Sequence, residues 1–120
     1  MWMAVIFILS SQSTLPRGPD PVLEVVMRKL AHFSEYALLA VLLIRAFEGP
    51  VLSRVGLAAL AVTVAYAVSD EIHQGFVPLR TPSPTDVLID SAGALFGLAL
   101  VLFWRGWKRT RERSAISHSR

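Results

Sequence analysis

The sequence predicts an all-α fold: a polytopic bundle of four transmembrane helices, the first of them short. Three observations predict it. Apolar residues make up 53 % of the 120 residues, charged residues only 18 %, and the mean hydropathy is +0.51. An average soluble domain carries about 25 % charged residues, and the core of a small soluble domain could not take up so many apolar side chains. The apolar residues also lie in long runs. Finally, six of the twelve basic residues fall from Arg105 onward, directly after the last apolar run, the pattern of a membrane-adjacent tail. The chain is expected to form one transmembrane domain over residues 1–107 and a basic cytoplasmic tail over 108–120.

Residues 1–9 are apolar, and a helix of nine residues spans only about 13 Å. That is short of the roughly 30 Å hydrocarbon core, as though the reading frame opened upstream of Met1. With no basic residue before the apolar run and no A-x-A-like site, the segment does not read as a signal peptide. A turn-rich stretch, "SSQSTLPRGPDP", follows. Asp20-Pro21 then starts a second helix, with an acid at the N-cap, Pro at the first helical position and Glu24 in the first turn. No further Pro or Gly interrupts it before Glu48. Its span proper is 30–46, and "EGPVLS" ends it. Residues 51–69 form the third span. Ala61 and Ala65 there make a small-xxx-small face suited to close packing, and Gly93 and Gly97 do the same in the last span, 86–107. The expected contact is between those two faces. Trp104 and Trp107 suit an interfacial belt.

The basic tail and Arg45 and Arg54 carry eight Lys/Arg, against four in the other two connecting segments. The positive-inside rule therefore places the tail in the cytoplasm and the stretch "SDEIHQGFVPLRTPSPTD", Ser69 to Asp86, outside. At 100° per residue, Arg28, Lys29, His32, Glu35 and Tyr36 share an arc of about 120° on the second helix. Thr63, Tyr66, Asp70, His73 and Gln74 share about 100° on the third, and Asp86, Asp90, Gly93 and Gly97 about 60° on the last. All three arcs meet the same membrane face. Glu35 and Asp90 sit more than a turn inside their apolar runs, where an isolated charge costs at least about 2.5 kcal/mol. They are expected to face the bundle and find partners.

The absence of Cys excludes disulfides, thiol chemistry and cysteine-type zinc sites. No HExxH spacing, nucleophile elbow or phosphate-binding Gly loop is present, so no metal site is expected and no cofactor can be named. Nor is nucleic acid an expected partner.

The segments "KLAHFSEY", "SDEIHQGFVPLRTPSPTD" and "DVLIDSAGALFG" resemble the signature of the VanZ-like family of bacterial membrane proteins. The matching positions are Lys29, His32, Phe33 and Tyr36; Asp70, Glu71 and Gln74; Arg80 and Asp86; and Asp90, Gly93 and Gly97. Asp90 stands where the family usually has Asn, and Leu79 where it often has Gly. The resemblance implies a multi-pass cell-membrane protein. It also implies an association with glycopeptide resistance, since the family's namesake is linked to teicoplanin.

The candidate catalytic residues are Asp70, Glu71, His32 and Glu35. Asp70 or Glu71 would be a general base and His32 its proton partner. The candidate substrate-binding residues are Lys29, Gln74, Arg80, Asp86 and Asp90, and the expected ligand is a membrane lipid or a lipid-linked head group. Structural readings stand beside these. His32 also fits a helix-end pairing with Glu35, Arg80 an ion pair with Asp86, and Tyr36 and Tyr66 belt or packing roles. Under the structural reading, the polar cluster only holds the helices in register.

Overall fold

Asp20 and Pro21 start the second helix as the sequence requires. The Asp20 carboxylate accepts hydrogen bonds from the backbone N–H groups of Val22, at 2.9 Å, and Leu23. The computed structural model describes residues 1–11, 20–47, 51, 53–78 and 81–117. Among them are four α-helices: α1 (Trp2–Ser10), α2 (Pro21–Ala46), α3 (Arg54–Gln74) and α4 (Pro84–Ser117). No strand occurs among the described residues. The fold is all-α with a short first helix.

Local chemistry moves three boundaries from their expected places. Ser53 caps α3 by accepting the Val55 N–H, so that helix starts at Arg54. Pro84 occupies the first position of α4, where its missing N–H costs nothing. At its far end α4 continues about 15 Å past Trp107. The segment 108–117 holds neither Gly nor Pro and is rich in Lys, Arg and Glu, which favour helix. Lys108 lies over the Trp104 ring at 4.3 Å and Arg111 over Trp107 at 4.2 Å, cation–π pairs one turn apart.

The helices α2 and α4 run parallel and in step, and α3 runs antiparallel to both. Gly93 lies against the Phe33 backbone and Gly97 against that of Ala37: a Cβ at either glycine would stand 2.3 Å from the carbonyl oxygen. The glycines thus pack on α2. Ala61 and Ala65 do not receive them, because both face outward. The face of α3 that is buried is Gly56, Ala59, Thr63, Ala67 and Asp70. The inward arc through Thr63 and Asp70 decides this, since Ala61 and Ala65 lie about 160° round the helix from Thr63.

Ile6, Tyr36, Leu39 and Ala67 form one apolar cluster, and Ile44, Val51, Ala59 and Val101 form a second towards the other end. Helix α1 packs beside the first cluster, antiparallel to α2. The Trp2 indole N–H donates to the Glu35 carbonyl at 3.1 Å, and the Tyr66 hydroxyl donates to the Met3 carbonyl at 2.5 Å. Large apolar side chains, among them Leu57, Leu88, Phe96 and Phe103, cover the outside. Helix α3, and α4 from Pro84 to Glu112, are long and apolar enough to cross a bilayer. Lys29, His32, Glu35 and Arg45 interrupt the apolar run of α2.

Candidate functional site

At the end of the bundle where α3 stops and α4 starts, a series of polar rungs joins the helices. Lys29 Nζ donates to Asp86 Oδ1 at 2.6 Å. One turn deeper, His32 Nδ1 stands 3.4 Å from Asp90 Oδ1. Below them the glycine contacts with Phe33 and Ala37 begin. This descent follows from the register of two parallel helices: 29 with 86, 32 with 90, 33 with 93, 37 with 97.

The third helix supplies Asp70, Glu71 and Gln74, all buried. Both Asp70 oxygens are engaged by neutral donors. The Ser10 hydroxyl reaches Oδ1 at 2.5 Å, and the Gln74 amide reaches Oδ2 at 3.0 Å. Glu71 accepts a short hydrogen bond from the Ser83 backbone N–H through Oε1, which ties the entrance of α4 to the end of α3. His73 is half-buried. It stacks on Phe7 at 4.2 Å, and its Nε2 lies 3.0 Å from Ser11 Oγ, so it belongs to the α1 contact.

The expected gathering is therefore present for eight of the nine candidates. His32 lies in the electrostatic field of Asp90, Glu35 and Asp70, and Glu71 in that of Asp86, His32 and Asp90. Glu35 is half-buried at the edge of this group. Arg80, the ninth, lies outside the described residues. Asp86, which one reading pairs with Arg80, is bonded by Lys29 through Oδ1, and its pairing with Arg80 lies outside the described residues.

Several atoms in this group are enclosed and yet lack a hydrogen-bond partner among the described residues. They are Asp90 Oδ2, Glu71 Oε2 and the Tyr36 hydroxyl, while His32 Nδ1 and Asp90 Oδ1 have only their 3.4 Å contact with each other. Asp90 is 1 % exposed and Tyr36 0 %. A buried polar group left unmatched costs on the order of 1–3 kcal/mol, and three in one place are a concentrated departure from the usual pairing. Of the two candidate bases, Asp70 is occupied on both oxygens, whereas Glu71 keeps one unpartnered.

Sequence reasoning missed two members. Ser10 is a bonded neighbour of Asp70, and its signal was the abrupt start of "SSQS" at the end of an apolar run. Tyr36 was read as a belt or packing residue. It is wholly buried, so it cannot serve a belt, and its hydroxyl belongs to the unmatched set. Its place on the His32 arc was the available signal. Tyr66, bonded to Met3, does have a packing role.

No curated protein and no solved structure matches the chain. A family model, that of VanZ/LLP1, matches residues 1–105, which include every member of the polar group. Taken with the two apolar helices, the match makes this a membrane protein, and the chain belongs to the VanZ/LLP1 family.

Proposed function

We propose that the chain is a multi-pass membrane protein whose polar group faces outward and binds the head group of a lipid or lipid-linked cell-envelope component. The basic tail would be cytoplasmic, as the eight-to-four distribution of Lys/Arg supports. Binding of an envelope component would also give a physical basis for the family's association with glycopeptide resistance.

The observation that carries this reading is the unmatched set: Asp90 Oδ2, Glu71 Oε2 and the Tyr36 hydroxyl. A cluster that served only to hold the helices in register would satisfy its own members. Lys29 with Asp86, and Asp70 with Ser10 and Gln74, do so, and for them the register role is enough. The remaining groups have capacity to spare, and lipid tails supply no hydrogen bonds to fill it. If a reaction follows binding, Glu71 is the better placed base, with His32 taking or giving the proton.

The test is to purify the protein in mild detergent and identify the lipid that stays with it by mass spectrometry. One lipid class should be enriched over the host membrane. Retained lipid with the composition of the bulk membrane would refute the reading. A labelled lipid that is bound and also turned over would make the protein an enzyme.

A further inference from the structure

The polar group is unbalanced in a way that selects its ligand. Its inward acids are Asp70, Glu71, Asp86 and Asp90, and its described bases are Lys29 and His32, with Arg28 on the same arc already paired to Glu24. Counting Arg80 from the sequence as a third base still leaves the acids in excess. Lys29 is already spent on Asp86 at 2.6 Å. The unmatched carboxylate atoms share the same bias, while the Tyr36 hydroxyl can donate as well as accept. Asp90 Oδ2 and Glu71 Oε2 are acceptors, and each belongs to a side chain more than nine-tenths buried. Glu71 lies within the electrostatic range of Asp90.

A phosphate is a poor match for such a place. It brings negative charge and acceptors to a site that already has too many of both. A primary ammonium brings three donors, no acceptor and a positive charge, and its bonds to carboxylates are charge-assisted. A trimethylammonium carries the same charge but has no N–H to offer.

We infer that the group recognised here is a primary ammonium, held by Asp90 and the unpartnered oxygen of Glu71. The inference rests on the head-group reading above and narrows it. Two sources carry this chemistry: an aminophospholipid head group, and an amine on the sugar or peptide of a lipid-linked precursor.

Native mass spectrometry of the full chain, with defined lipids added in detergent, tests it. Phosphatidylethanolamine should be retained in preference to phosphatidylglycerol and phosphatidylcholine. Glu71→Gln and Asp90→Asn, both close to isosteric, should each weaken retention about tenfold or more, the effect of losing one charge-assisted bond. A measurement on the unaltered protein covers the case in which a variant fails to fold: free ethanolamine should displace the lipid, and inorganic phosphate should not. The side-chain amine of Nα-acetyl-lysine amide separates the sources. Stronger displacement by it than by ethanolamine points to a precursor amine, and the reverse points to the phospholipid. Retention of phosphatidylglycerol or phosphatidylcholine as strong as that of phosphatidylethanolamine would overturn the ammonium inference and leave head-group binding standing. If no lipid is retained above bulk, both fall.

Discussion

Replacing Gly97 by alanine adds one methyl group where the structure has no room for it. The new Cβ would stand 2.3 Å from the Ala37 carbonyl oxygen, 3.0 Å from its carbon and 3.2 Å from its Cα. An ordinary carbon–oxygen contact between helices is about 3.3–3.6 Å, so α2 and α4 must part by about 1 Å. All three obstructing atoms are backbone, and no side-chain rotamer can relieve the clash. Overpacking of this kind costs about 1–3 kcal/mol. The parting also propagates, because His32 and Asp90 face each other on the same two helices. Gly106→Ala supplies the control, since no atom lies within 4 Å of a Cβ there. In an exposed helix interior it gains about 1 kcal/mol of helix propensity. Thermal unfolding of the purified proteins in one detergent, followed by circular dichroism, should place Gly97→Ala well below the unaltered chain and Gly106→Ala at or above it. Equal midpoints for the two variants would refute the parallel α2–α4 contact.

The other predictions concern charge and topology. His32→Ala should destabilise by about 3–5 kcal/mol, because it strands a buried carboxylate; adding Asp90→Asn should recover a large part of that loss, and simple additivity in the unfolding midpoints would contradict the pairing. Lys29→Ala should cost no more than about 1 kcal/mol, because its pair with Asp86 is partly exposed; a larger loss by chemical denaturation would mean that this rung does more than pair two charges. The chain has no Cys, so Thr81→Cys and Glu112→Cys can be labelled singly with an impermeant thiol reagent. In intact cells Thr81→Cys should react and Glu112→Cys should not, and the opposite result would invert the membrane orientation.

The helices were legible in the sequence because their punctuation is local. Asp20-Pro21 needs nothing beyond its own N–H groups, and the apolar runs declare their length. The convergence of Lys29, His32, Asp70, Glu71, Asp86 and Asp90 was legible because each arc is a property of one helix. What was not legible is which helix meets which. Gly93 and Gly97 could have served either neighbour, and small-residue spacing alone does not choose. The choice came from α3, where Thr63 and Asp70 must turn inward and so carry Ala61 and Ala65 outward. The hydrogen bond from Ser10 to Asp70 joins residues sixty apart, and no periodicity in either segment encodes such a bond. Helix α4 runs on past the expected span, because hydropathy marks the span whereas helix propensity continues unbroken to Ser117.

The two tryptophans at the far end of α4 also act as a ruler. In the membrane arrangement proposed above, Trp107, pinned under Arg111, would mark one edge of the oily layer. From there to Asp86 is 21 residues of continuous helix, about 31 Å and close to one full hydrocarbon thickness. Asp86 would then emerge at the opposite waterline, while Asp90, about 25 Å along, would stay one turn submerged. Moving the aromatic collar by a single turn along α4 would lift Asp90 to the surface or sink Asp86 beneath it. In that arrangement the depth of the buried carboxylate is set from the other side of the membrane.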